Sequence, residues 1–330
     1  MVFYCQRHCY DKKYTTNVVS CKPAKQDVVV NGKKKKIDCY ETTFEDTVMF
    51  PEGGGQPDDR GTVEGIPVLR VQRRGGDAVH YLEKPLEVGA IVTQQIDWDR
   101  RHDHMQQHSA QHLITAVADA MYGYATNSWY LAESISYIEL DTTKVSTAEI
   151  NTIEETVNQR IKDATPVHIE EYDATDPKLR EIRTRGLPDD VVGPVRVVTI
   201  EGVDANMCCG THVRNLADLQ AIKLLHTEKG KANKTLLYFV AGARVLRYLG
   251  ECVSRERQFN ILLHSCSSDH LRLVEKIQKD LKSMMIWLCE ILEGRGGGKS
   301  RFTGKVTKLG KRGEAEKYIL GVMDNHKTES

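Results

Sequence analysis

Two short segments carry residue types that can hold a metal ion. His108-Ser109-Ala110-Gln111-His112 spaces two imidazoles four residues apart. On a helix that spacing puts both on one face, a turn apart, where they can share an ion. Ser109, not Glu, follows His108, so this is not the zinc-protease motif. Cys208-Cys209-Gly210-Thr211-His212 repeats the spacing with a thiol and an imidazole. Together the two segments offer a mixed nitrogen and sulfur set suited to one tetrahedral Zn2+ per chain, held by His108, His112, Cys208 and His212. Cys208 is chosen on the four-residue symmetry; Cys209 is the alternative and would make a tighter C-x-x-H. His102 and His104 read as polar flanks. Cys5, His8 and Cys9 resemble half a site but have no second half nearby, so they read as structural. No Ser-His-Asp set or nucleophile elbow is evident, and a covalent intermediate is not expected.

The elements around these segments set their positions. Val28–Val30 and Ile37–Tyr40 flank Asn31-Gly32, a hairpin signal. Further strand-like runs at Thr47–Phe50, Pro67–Val71 and Gly89–Ile96 predict a small β-barrel-like domain over residues 1–100. A helix over Ser109–Met121 buries Leu113, Ala116, Val117, Ala120 and Met121 and ends at Gly123. A second starts at the capping box Ser146–Glu149 and continues through Ile150, Ile153, Val157 and Ile161 until Pro166. Strands at Val167–Glu170, Val195–Ile200, Leu219–Leu225 and Thr235–Val240 complete an α+β zinc-containing domain over 101–250. Residues 251–330 read as a helical and basic C-terminal extension. Its apolar residues from Val274 to Ile291 fall in steps of three and four, a short heptad seam that could pack on the preceding domain or form a weak dimer.

Lys+Arg and Asp+Glu are equal, 46 each over 330 residues, so a polyanion must be gripped by local patches. Lys33–Lys36 is such a run, read first as a solvated edge that deters sheet pairing and second as an RNA contact. Residues 295–312 carry seven basic residues and no acid among glycines. Gly294–Ser300 is not a P-loop, because Glu293 stands where the first glycine is required. No apolar run is long enough to span a membrane, and the N-terminus lacks a secretory pattern. Nine scattered cysteines without such a signal suggest free thiols or ligands. The expected location is the cytoplasm, with no membrane or DNA partner.

The motifs HSAQH and CCGTH, in that order and about a hundred residues apart, resemble the editing domain of alanyl-tRNA synthetase. They resemble still more its free-standing relatives, the alanyl-tRNA editing (AlaX) proteins. Asp46–Pro57, with Gly53-Gly54-Gly55-Gln56, is similar to the glycine-rich signature of that family. Val195–Gly202 and Tyr238–Arg244 are similar to its flanks, so the resemblance covers about residues 1–250. Ser128–Ser136 departs from it by lacking a Gln-x-Gly-Ser stretch. The tail looks shorter than the C-terminal domain of the long AlaX form, with a junction near Met285–Leu288 that suggests an internal deletion.

The resemblance implies a trans-acting, zinc-dependent hydrolase of the ester in tRNA(Ala) mischarged with serine or glycine. A pocket sized for alanine rejects such neighbours poorly, so a second hydrolytic site is needed. Thr47 matches the family's threonine and becomes the seryl-hydroxyl contact. The expected catalytic set is Thr47, His108 and His112, and the expected substrate-binding set is Thr47, Gly53, Gly54, Gly55 and Gln56. The ion would either polarise the ester or, inside a closed shell, position the substrate. The rival readings are a non-catalytic tRNA-binding module with structural zinc and a metal-dependent hydrolase of other esters or amides.

Overall fold

The computed structural model describes residues 2–30, 33–180, 182, 194–297, 303–305 and 309–328. The Asn31-Gly32 turn and Gly298–Ser300 of the GRGGGKS segment lie outside them. The chain forms two compact units, Met1–Leu246 and Arg247–Ser330.

The first unit begins with a short helix, α1 (Tyr4–Arg7), then six antiparallel strands: β1 (Lys13–Val30), β2 (Lys33–Phe44), β3 (Gly61–Val63), β4 (Ile66–Arg74), β5 (Asp77–Leu82) and β6 (Ile91–Ile96). Their order is β1-β2-β5-β4-β3-β6, and β6 pairs back onto β1 through Lys13↔Gln95 to Asn17↔Ile91, so the pairings close into a ring. Val18, Val63, Val68, Val71, Leu82, Val92 and Ile96 fill its interior.

Thr47–Phe50, expected as a strand, is instead a connection that crosses this interior. Val48, Met49 and Phe50 are all buried in succession, and none of them lies in a strand ladder. Side chains satisfy the backbone where a ladder would have done so. Val48 N–H donates to Gln94 Oε1 at 2.9 Å, Met49 N–H to Thr47 Oγ1 at 3.0 Å and Phe50 N–H to Asp59 Oδ2 at 2.7 Å.

Next comes α2 (Trp98–Tyr122), capped by Asp97, whose carboxylate accepts from Arg100 N–H at 3.2 Å. Gly123 ends it in the left-handed region, φ 67°. The helix starts eleven residues before the expected Ser109. Its first half is too polar to show an apolar stripe, yet every residue from His104 to Ala118 is buried. Arg101, fully buried, explains how that is tolerated. Its guanidinium pairs with Asp59 and donates to the Cys9 carbonyl at 3.0 Å, tying the helix to the loop below the ring.

Around α2 lie β7 (Thr126–Tyr130), β8 (Ser136–Leu140), α3 (Thr147–Lys162), β9 (Val167–Tyr172), β10 (Val195–Ile200), β11 (Asp204–Met207), β12 (Ile222–Lys229) and β13 (Thr235–Ala241). They build an antiparallel sheet in the order β12-β13-β8-β7 and a smaller one, β11-β10-β9. The capping box on α3 is present, and Ile153, Val157 and Ile161 are its buried stripe. These side chains join Leu113, Ile114, Val117, Ile138, Leu237 and Phe239 in one core.

After α4 (Ala243–Leu263), the second unit contains α5 (His270–Ile291), the short strands β14 (Arg295–Gly297) and β15 (Thr303–Lys305), and α6 (Arg312–Thr328). The heptad seam lies on α5, and Trp287 stacks on Tyr318 with ring centroids 3.9 Å apart. No helix among the described residues is long and apolar enough to cross a membrane.

Candidate metal centre

His108 and His112 project from the middle of α2, and the turn after β11 brings Cys208 and His212 against them. The four potential ligand atoms lie within 4.8 Å of one another. Cys208 Sγ is 3.2 Å from His212 Nε2 and 3.5 Å from His108 Nε2. Tetrahedral zinc with bonds of about 2.0–2.3 Å needs ligand separations of about 3.3–3.7 Å, so these contacts already have the required scale. Cys209 faces elsewhere: a Cβ on Gly54 would come within 2.7 Å of its Sγ.

The outer contacts decide which ring nitrogens face the centre. Thr211 N–H donates to Gln56 Oε1 at 2.9 Å, which fixes the orientation of the Gln56 amide, since a backbone N–H can only donate. That same Oε1 lies 2.9 Å from His108 Nδ1, so Nδ1 carries the proton and Nε2 presents its lone pair to the cluster. Gln56 Nε2 donates to Thr211 Oγ1 at 2.8 Å. On the other side, Ser109 Oγ accepts from Val213 N–H at 3.1 Å and sits 3.1 Å from His212 Nδ1. The serine that excludes a protease motif is therefore an orienting partner for the second motif's histidine.

Burial, followed by the charge of neighbouring histidines and Arg196, holds His108 and His212 well below the usual imidazole range. They stay neutral, the form that binds metal. Burial and neighbouring Cys209 push the Cys208 thiol up to about 12, against the opposing pull of Arg196. A cation that displaces the thiol proton is what such a site favours, and Gly210 N–H points at the sulfur from 3.4 Å.

The glycine-rich segment serves this centre. Gly53 and Gln56 exchange two backbone hydrogen bonds of 3.1 Å across Gly54 and Gly55, whose φ values are 60° and 77°. Positive φ at both central residues defines a type I′ turn, a conformation that glycine adopts without strain. The turn packs against the CCGTH loop and delivers Gln56, which is buried, to His108. A Cβ on Gly55 would lie 2.3 Å from Trp129 Nε1, and one on Gly210 would lie 2.2 Å from His108 Cε1. In the structure, then, these glycines admit neighbouring side chains of the same chain.

Thr47 lies in the ring interior, fully bonded within it. Its Oγ1 accepts from Met49 N–H, and Gln94 Oε1 and His80 Nε2, each 2.9 Å away, compete for its proton. His80 Nδ1 is 3.1 Å from the Ala78 carbonyl, which leaves Nε2 as the acceptor.

Ser109, Thr211, Arg196 and the Gln94–His80 pair were not singled out from the sequence. Only Arg196 left a trace there, as a charge inside the apolar run of β10. Cys5 and Cys9 are buried and His8 stacks on Tyr4, in keeping with a structural role.

Residues 195–238, which contain the CCGTH loop, match the family described as threonyl and alanyl tRNA synthetase second additional domain. The alanyl-tRNA editing protein Aarsd1-A of Xenopus laevis is 52% identical over 284 residues, spanning 86% of this chain and 69% of that protein. The chain belongs to the alanyl-tRNA editing protein family. Within that family, Aarsd1 of Mus musculus is 53% identical over 283 residues, 86% of this chain and 69% of the relative. The more distant AlaX-L of Pyrococcus horikoshii is 30% identical over 265 residues, 78% of this chain and 64% of its own length.

Proposed function

We propose that the protein is a trans-editing deacylase, hydrolysing the ester of tRNA(Ala) mischarged with serine, and with glycine as a second substrate, at a one-zinc centre. The observation that carries this reading is the convergence of His108, His112, Cys208 and His212 in a chain of the editing family. The chemistry a zinc ion would supply there is polarisation of the ester carbonyl or orientation of the aminoacyl end. The chain's own residues do the rest. Gln56 and Ser109 hold His108 and His212 with Nε2 toward the centre, and the buried surroundings of α2 keep both imidazoles neutral. Thr47 is assigned the discrimination of serine from alanine. Met49 N–H occupies one lone pair of its Oγ1 and the proton goes to Gln94 or His80, so the second lone pair can accept from a seryl hydroxyl with those partners kept in place. Mischarged tRNA is the partner, and the cytoplasm, where tRNA is charged, is the site of action.

The test is hydrolysis of Ser-tRNA(Ala), Gly-tRNA(Ala) and Ala-tRNA(Ala) by the wild type and by His108→Ala/His112→Ala. Loss of the serine ester with alanine spared, abolished in the double variant, is expected. The complete four-ligand set favours one second reading, a tRNA-binding module whose zinc is structural, because structural sites are closed in this way. Folded, zinc-loaded protein that binds tRNA but leaves Ser-tRNA(Ala) at its background rate would establish that reading instead.

A further inference from the structure

Arg196 occupies a position where the fold calls for an apolar residue. It lies on β10 two and four residues before Val198 and Ile200, so all three share the face turned toward the main core. Val195 and Val197 face a separate small cluster with Leu179. Arg196 is 5% exposed, and its Nη1 donates to the Cys208 carbonyl at 2.7 Å, at the rim of the four-ligand cluster. Its Nε and Nη2 are sealed from solvent and have no hydrogen-bond partner. Glu171, opposite it in the β9–β10 register, is engaged by Arg7 at 2.7 and 3.1 Å.

A guanidinium is always charged, and a buried charge without a partner is costly. The centre beside it adds to the imbalance. With a divalent cation held by three neutral imidazoles and one thiolate, the centre would carry one positive charge, and Arg196 would make two. The orphaned Nε and Nη2 form the edge of the guanidinium that pairs with two oxygens at once.

We propose that Arg196 is the receptor for a two-oxygen anion at the edge of the metal centre. The anion is either a phosphodiester of the RNA 3′ end or the carboxylate of the released amino acid. The receptor rests on the deacylase reading for its ligands, but not on turnover for its test. Partly exposed residues 203–209, which border the guanidinium through Cys208, are the segment that must yield to admit the anion.

The experiment measures binding of uncharged tRNA(Ala) across a salt series, and binding of free L-serine, to zinc-loaded wild type, Arg196→Met and Arg196→Lys. Zinc content and circular dichroism are recorded for each. A phosphodiester ligand predicts at least a tenfold loss of tRNA affinity in Arg196→Met, with a log–log salt slope shallower by about 0.7–0.9. Arg196→Lys keeps the charge but not the fork, and is expected to lose at least threefold. A carboxylate ligand predicts unchanged tRNA binding and the same losses for serine. Wild-type affinity for both probes in either variant, with zinc and fold retained, overturns the proposal. If Arg196→Met fails to fold, Arg196→Lys decides the question alone.

Discussion

Gln56 is the side chain through which the glycine-rich turn should control metal affinity. Replacing it with methionine removes three hydrogen bonds, to Thr211 N–H, Thr211 Oγ1 and His108 Nδ1, of 2.8–2.9 Å. Methionine nearly preserves the volume, so packing changes little. It leaves the Thr211 N–H and the His108 Nδ1–H buried without acceptors, at roughly 1–3 kcal/mol each. Much of that cost falls on both metal-free and loaded protein. The part that differs is the orientation of His108, and losses of an outer-shell partner reduce metal affinity by roughly 10–100-fold, about 1.4–2.8 kcal/mol. Competition against a chromogenic chelator at fixed pH gives the zinc affinity directly. Gln56→Glu supplies the internal comparison. It keeps an acceptor for His108 Nδ1 and for Thr211 N–H, loses only the donor to Thr211 Oγ1, and should bind zinc within a few-fold of wild type. Equal zinc affinity of Gln56→Met and wild type, both folded, would refute the reasoning that Gln56 sets the His108 tautomer.

Acid should destabilise the fold before it reaches the carboxylate range. Burial depresses His80 and His104 to about 4 each, so below about pH 6.5 the unfolded chain takes up protons that the folded one refuses. This contribution is complete above pH 6.5 and is lost as pH falls toward 4, at up to roughly 3 kcal/mol per histidine. Urea midpoints measured from pH 7 to 4.5 should fall, less steeply in His80→Asn, and a flat profile would contradict the assignment. Gly210→Ala places a Cβ 2.2 Å from His108 Cε1 and should lower bound zinc and deacylation together, as metal analysis beside the tRNA assay would show. Arg101→Met leaves Asp59 charged and buried, at roughly 3–5 kcal/mol. Adding Asp59→Asn should recover part of that loss, and additive denaturation free energies in the cycle would exclude the coupling.

Much of the His/Cys cluster was legible from spacing. Four-residue intervals in HSAQH and CCGTH pick out the four side chains that converge, because a helix turn and a tight loop can each bring such pairs together. The α3 capping box and its 150–161 stripe were equally local, and the structure contains both. Other features were settled only across the chain. Between Cys208 and Cys209 spacing allowed either, and packing of Cys209 against Gly54 left Cys208 to the cluster. The polar first half of α2 could not announce a buried helix, because its partners, Asp59 for Arg101 and the Ala241 backbone for Gln107, come from elements far away in sequence. Thr47–Phe50 has strand composition, yet Gln94 and Asp59 bond its backbone and release it from any ladder. Gln56 and Ser109 became partners of His108 and His212, and Arg196 an unpaired charge beside them, only once the ring, α2 and β10 met. Local periodicity is written in neighbouring residues, whereas the satisfaction of a buried polar group depends on whichever distant atom the fold brings to it.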